Sequence, residues 1–141
     1  MTYAVEAKQV AAKPIATVRG RASRENLPKR IRALFDEFYA GFKTKGGLNI
    51  VFYPGTGGGG EFDIECGVQV EAGSNSSTPA GVVATVVYFG PYDQMRPAHE
   101  AIHQWSRDNG RALAGPSWEV YGHWNDDPVK LRIDIFYLLS Q

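Results

Sequence analysis

Two short stretches decide the fold of this chain, "PIATVRG" at residues 14–20 and "GVVATVVYFG" at residues 81–90. Residues 15–18 align with residues 83–86 at an offset of 68. Two further pairs of apolar stretches follow in the same order at an offset of 69, "GGLNIVFYPG" (46–55) beside "AGPSWEVYGHW" (114–124) and "EFDIECGVQV" (61–70) beside "KLRIDIFYLL" (130–139). The order and spacing of these pairs indicate one module written twice.

Each copy of the module is predicted to form, in order, a strand, a helix and two further strands. The stretch from Val82 to Phe89 is dense in β-branched and aromatic residues, which favour a buried strand. Apolar residues at helical spacing predict one helix from about Glu25 to Phe42 and a second from about Asp93 to Asp108. After each helix, the sequence predicts two strands joined by a hairpin.

The domain organisation follows from this repeat. The polar, small-residue segment "AGSNSSTPAG" at residues 72–81 reads as a linker between the modules. We expect a single α+β domain over residues 1–141, with module one at about 1–71 and module two at about 82–141. An antiparallel sheet with two long helices is the predicted architecture, and an exposed edge strand would permit a homodimer.

Charge and composition exclude several classes of protein. Lysine plus arginine and aspartate plus glutamate each total 15, so the chain has no basic field for direct nucleic-acid binding. The single cysteine, Cys66, excludes an intramolecular disulfide and a cysteine-rich metal site. The longest apolar run, residues 82–89, is too short to cross a bilayer. We expect a cytoplasmic protein with no membrane partner.

The stretch "AHEAIHQW" at residues 98–105 contains the H-E-x-x-H spacing of a zinc protease helix. The apolar stripe of this predicted helix centres near Ala98. At about 100° per residue, His99 then lies roughly 100° from that centre and His103 roughly 140°. Both histidines are predicted to face water, so we expect neither a metal site nor a cofactor.

A carboxylate breaks the repeat. At the offset of 69, Glu119 stands where module one has Ile50, on a strand that should lie inside the sheet. Strand alternation places Ser117, Glu119, Tyr121 and His123 on one face. An unpartnered buried carboxylate costs several kcal/mol or shifts its pKa upward. Such a group could bind a lipophilic cation or act as a general acid or base. Alternatively, it is paired with Lys130 or Arg132 of the neighbouring strand.

These features resemble the GyrI-like small-molecule-binding family, also met as the effector-binding domain of AraC-type and MerR-type multidrug regulators. The matching features are the "ATVVYFGPY" strand and turn (84–92), Trp105 in the following helix, the "GPSWEVY" strand (115–121) and the final "RIDIFYLL" strand (132–139). With the first module included, the resemblance spans essentially the whole chain. "WEVY" is its most specific part.

The resemblance implies the family's tandem strand-helix-strand-strand duplication, with a ligand cavity between the two modules. A glutamate at the base of that cavity maps onto Glu119, and Tyr121 would line the same pocket. Phe136 on the last strand is a further implied ligand contact. Tyr88 and Trp105 are weaker candidates from the second module.

The resemblance also implies what the protein does. The expected function is to bind small lipophilic compounds, cationic or aromatic, for sensing, sequestration or resistance. The predicted first strand starts near the beginning of this sequence, with no helix-turn-helix unit in it, so a stand-alone member is expected. One alternative is a hydrolase of strained cyclopropanoid alkylating agents, in which Glu119 and Tyr121 would be catalytic. Another is a protein-partner regulator of the gyrase-inhibitor type.

Overall fold

The computed structural model describes residues 3–42 and 46–141 of the chain. Its helices are α1 (Leu27–Gly41) and α2 (Arg96–Asp108), with 3-10 turns at Tyr92–Gln94 and Pro128–Lys130. The strands are β1 (Glu6–Val10), β2 (Pro14–Ser23), β3 (Asn49–Tyr53), β4 (Gly57–Gly58), β5 (Glu61–Gln69), β6 (Ser76–Ser77), β7 (Gly81–Phe89), β8 (Leu113–Tyr121) and β9 (Arg132–Leu139).

All strands belong to one antiparallel sheet with the order β1-β7-β9-β8-β3-β5-β2-β6, and β4 pairs with β5. The predicted α+β class is therefore confirmed, with β2-α1-β3-β5 and β7-α2-β8-β9 in the predicted order. The two halves meet where β3 pairs with β8. At this seam Val51 lies opposite Glu119 and Tyr53 lies opposite Ser117.

The two faces of the sheet are both covered by apolar side chains. On one face, α1 buries Leu34 and Phe38, and α2 buries Ala98 and Ile102. The sheet is curled, and its other face holds a separate buried cluster. That cluster comprises Ile15, Ile50, Phe52, Val83, Trp118 and Val120. None of the helices in the described ranges is long and apolar enough to span a membrane.

Both helices begin later than predicted. Helix α1 starts at Leu27 because Asn26 precedes it in a non-helical conformation, where its Oδ1 accepts a hydrogen bond from the Ser23 amide. Helix α2 starts at Arg96 because the preceding residues Tyr92–Gln94 form a 3-10 turn.

Two features beyond the predicted strand-helix-strand-strand elements complete the sheet. Strand β1 was not predicted, because four of its five residues are exposed and carry no apolar alternation. The predicted linker is held against β2, where Asn75 bonds to both the amide and the carbonyl of Thr17 through its side chain. The side-chain amide of Asn75 thereby adds to the pairing that β6 makes with Pro14 and Ile15 along the same edge of β2.

The predicted equivalence of Glu119 with Ile50 is wrong by one residue. Paired residues of antiparallel strands share a face, and Glu119 pairs with Val51, whereas Ile50 pairs with Val120 on the opposite face. A shift of one residue exchanges the two faces of a strand. The carboxylate therefore lies on the helix-covered face, in the position of Val51.

Candidate functional site

A cavity of about 950 Å³ lies over the β3–β8 seam, between α1 and the segment that leads into α2. Its apolar and aromatic wall consists of Leu27, Pro28, Ile31, Phe35, Tyr53, Tyr92, Met95, Tyr121 and Trp124. The remaining lining residues are Arg24, Arg32, Asp36, Asn49, Asp93, Arg96, Glu119 and Gly122. Several of them are exposed, so the cavity reaches the protein surface.

Helical and strand periodicity explain which side chains reach this cavity. Residues four apart on a helix lie on the same side, and Leu27, Ile31 and Phe35 form such a row beside the buried residues of α1. These three are only half-buried in the protein. On β8, Glu119 and Tyr121 lie two residues apart and so share the face beneath them.

Glu119 is the buried polar group at the floor of the cavity, with 6% of its surface exposed. Its Oε1 accepts a hydrogen bond from the Tyr121 hydroxyl at 2.9 Å. Its Oε2 lies 2.7 Å from Nε2 of His99 on α2. In the described part of the chain, Arg132 bonds to Asp134 instead, and neither Lys130 nor Arg132 pairs with Glu119. The pairing considered from the sequence is therefore wrong.

The prediction that His99 faces water is also wrong. Its side chain is 23% exposed, and its Nδ1 lies 2.7 Å from the hydroxyl of Tyr137 on β9. Because a histidine about 100° from the centre of an apolar stripe lies at its border, its long side chain can still reach the sheet. The ring of His103 stands edge-on to Tyr137, and burial, together with the charges of His99 and Arg107, lowers its pKa.

The tyrosines near Glu119 are held in their neutral form. Burial, and next the negative charge of Glu119, raise the pKa of Tyr53 and of Tyr121 well above the ordinary value. The same two causes raise the pKa of Tyr137 to about 12. At neutral pH these phenols offer hydroxyl donors and aromatic faces to a bound molecule. The floor of the cavity thus combines one buried carboxylate with neutral hydrogen-bond donors.

The model of the GyrI-like small molecule binding domain family matches residues 3–139. The chain belongs to this family. The family expectation drawn from the sequence is confirmed, and the protein is a small-molecule-binding domain. No curated protein sequence is a significant match for the chain.

Solved structures share the fold of this GyrI-like domain. The C-terminal domain of EcmrR is 23% identical, with a TM-score of 0.75 over 100% of this chain and 99% of that one. SAV2435 bound to tetraphenylphosphonium is 11% identical, with a TM-score of 0.72 over 99% of this chain and 94% of that one. A hydrolase from Listeria innocua is 11% identical, with a TM-score of 0.62 over 96% and 91% of the two chains.

Of the five ligand-contact residues expected from the sequence, Glu119 and Tyr121 line the cavity of the GyrI-like domain. Tyr88 is buried under α2, where its hydroxyl donates to the Pro91 carbonyl at 2.6 Å. Trp105 packs against the same buried cluster. Phe136 stacks on Trp118 on the opposite face, beside a smaller hollow of about 500 Å³.

Sequence reasoning missed several residues of the cavity wall, namely Phe35, Tyr53, Tyr92 and Trp124. An offset of 68 for the strands β3 and β8 would have revealed Tyr53, because it aligns Val51 with Glu119 and Tyr53 with Tyr121. The sequence carries no comparable signal for Phe35, Tyr92 and Trp124, because whether these side chains reach the cavity depends on how the two modules pack against each other.

The H-E-x-x-H spacing does not assemble a metal centre in the described ranges. No group of three or more histidine, cysteine, aspartate or glutamate side chains there could hold a metal ion. Glu100 is exposed and bonds to Arg96 one turn away, whereas His99 is engaged by Glu119. The two histidines of the motif thus have different surroundings.

Proposed function

We propose that this GyrI-like domain binds lipophilic compounds, cationic or aromatic, in the cavity over the β3–β8 seam, with Glu119 as the anchor. The observation that carries the proposal is a buried carboxylate at the floor of an aromatic cavity that reaches the surface. Its volume of about 950 Å³ suits a ligand of drug-like size.

Electrostatics favour a cation at the floor. Within a protein, a charge pair is worth more than in water because the surroundings screen it less. The rings of Tyr53 and Tyr121 line the same space and can add cation–π contacts of about 0.5–2 kcal/mol each. SAV2435, which shares the fold, is bound to tetraphenylphosphonium, an aromatic cation of this kind.

Aromatic residues also form the mouth of the cavity. The ring of Tyr92 meets Tyr121 at 5.2 Å and Trp124 at 6.3 Å between centroids, both edge-on. Trp124 is 70% exposed, an unusual position for so large an apolar side chain. A planar ligand that enters past Tyr92 would cover part of the Trp124 ring and remove it from water.

Titration of the protein with tetraphenylphosphonium, followed by calorimetry, tests the proposal. Removing the charge in Glu119→Gln should weaken binding at least about tenfold, since a charged partner is worth about 1.5–3 kcal/mol. Glu65→Gln is the matched control, because Glu65 is also a buried carboxylate but bonds to Thr17 outside the cavity. Undiminished binding to folded Glu119→Gln would refute the role of the carboxylate.

We also propose hydrolysis as a second candidate function, because Glu119 is hydrogen-bonded to both a tyrosine hydroxyl and a histidine ring. Glu119 would take a proton from water as the water oxygen bonds to a ring carbon of a cyclopropane. In the same step the ring carbon–carbon bond at that atom breaks, and its electron pair passes to a conjugated carbonyl that is polarised by the hydroxyl of Tyr121 or Tyr53. The proton that Glu119 took from water then completes the product on that side. Turnover that survives Glu119→Ala would eliminate this candidate. A regulator of the gyrase-inhibitor type stays a prediction.

A further inference from the structure

The anchor of the proposed binding site already has a cationic partner available. The Nε2 atom of His99 lies 2.7 Å from Oε2 of Glu119, a distance typical of a charge-assisted hydrogen bond. Glu119 lines the cavity, whereas His99 is not among its lining residues. Histidine and ligand would therefore contact the carboxylate from different sides, and a bound cation would not need to displace the imidazole.

The surroundings of His99 allow its ring to hold or release a proton without changing partners. Nε2 donates to the carboxylate in either state. The Tyr137 hydroxyl, 2.7 Å from Nδ1, can donate to a neutral ring or accept from a protonated one.

The charged and titratable groups around His99 come from three elements. Strand β8 contributes Glu119 and Tyr121, and strand β9 contributes Tyr137. On its own helix, Arg96 and Glu100 bond to each other near the surface, and His103 follows one turn later. Glu119 is the one anion that bonds directly to the ring in the described part of the chain.

We propose that His99 is the proton-holding partner of Glu119, and that the cavity takes up a cation in exchange for the His99 proton. The inference rests on the proposed function. A protonated His99 and a bound cation would share one buried carboxylate, so each disfavours the other, and this coupling is reciprocal. Cation binding releases the proton, and acidification releases the cation.

Affinity for a permanent cation should consequently rise with pH and level off once His99 is neutral. Exchange against one proton limits the slope to about tenfold per pH unit on the acid side. A neutral aromatic compound of similar shape adds no second positive charge beside Glu119, so its affinity should stay nearly constant as the pH changes. Selectivity for cations would thus increase with pH.

The experiment compares tetraphenylphosphonium, which carries no titratable proton, with neutral triphenylphosphine oxide between pH 5 and pH 8. Calorimetry in two buffers of different ionisation enthalpy counts the protons released. We expect release of up to one proton with the cation and none with the oxide. His99→Gln should abolish the release and flatten the pH profile, whereas His103→Gln, one helical turn away, should keep both.

Three outcomes overturn the inference. In the first, the unaltered protein binds the cation through Glu119, but its affinity does not change with pH and no proton is released. That result would leave the proposed function intact. Another is a pH dependence that persists unchanged in His99→Gln, which would assign the titration to the carboxylate itself. If tetraphenylphosphonium fails to bind at every pH, both the proposed function and this inference fail. The proton count in the unaltered protein does not depend on the folding of any variant.

Discussion

His99 on α2 and Glu119 on β8 are joined by a 2.7 Å contact between Nε2 and Oε2. This contact ties the second helix to the floor of the cavity, in addition to the apolar packing of Ala98 and Ile102. Removal of one partner would leave the other buried or half-buried without its bond, which costs more than the bond contributes. The site is therefore also a structural link between helix and sheet.

Tyrosine titration should respond to the charge of Glu119. Because this charge helps to raise the pKa of Tyr53, Tyr121 and Tyr137, Glu119→Gln should lower all three. Burial remains the larger cause, so the three phenols should still titrate above the ordinary range. Ultraviolet absorbance of tyrosinate against pH measures the shift. Glu65→Gln should leave the curve in place, and an unchanged curve in Glu119→Gln would contradict the assignment.

Stability should fall at alkaline pH. A phenol whose pKa is raised on folding contributes stability that is present below the ordinary pKa of about 10 and lost as the pH rises through the raised value. Tyr121→Phe removes one such group and should make the decline less steep. At neutral pH the same variant should lose about 2 kcal/mol, since a hydrogen bond to a carboxylate disappears. Denaturant unfolding at a series of pH values measures both effects. If the free energy of unfolding declined equally steeply at alkaline pH in the variant and in the unaltered protein, the predicted contribution of Tyr121 to that decline would be refuted.

Cys66 should be unreactive in the folded protein. It is fully buried, and burial, followed by the charge of Glu119, raises the pKa of its thiol to about 12. Because the thiolate is the nucleophile, a disulfide reagent at neutral pH should react only through opening of the fold. The labelling rate with and without denaturant tests this expectation. Immediate reaction under native conditions would mean that β5 is open to solvent.

The fold was predictable because its strongest signals are local and repeated. β-branched residues at matching spacings mark the strands β2 and β7, and apolar stripes mark both helices. Strand alternation likewise placed Glu119 and Tyr121 on one face. These inferences need only the periods of strand and helix.

The features of the site that the sequence did not predict depend on the register of the strands and on how far the side chains reach. A one-residue slip in the alignment matched Glu119 with Ile50 instead of Val51, which lies on the other face. Phe136, on the last strand, packs on Trp118 away from the cavity. His99 reaches Glu119 because α2 packs on β7 and β9, next to β8, a placement that no period encodes.

Trp124 should report ligand binding by fluorescence, whereas the other two tryptophans should not. It lines the cavity mouth and is 70% exposed, so a bound aromatic compound changes its surroundings directly. Trp118 is buried on the opposite face, and Trp105 packs against the cluster under α2. Trp124→Phe should therefore remove most of the quenching by tetraphenylphosphonium, while Trp105→Phe and Trp118→Phe should retain it. Calorimetry on each variant separates a lost signal from lost binding. Quenching that persists in Trp124→Phe but vanishes in Trp118→Phe would place the ligand on the other face of the sheet.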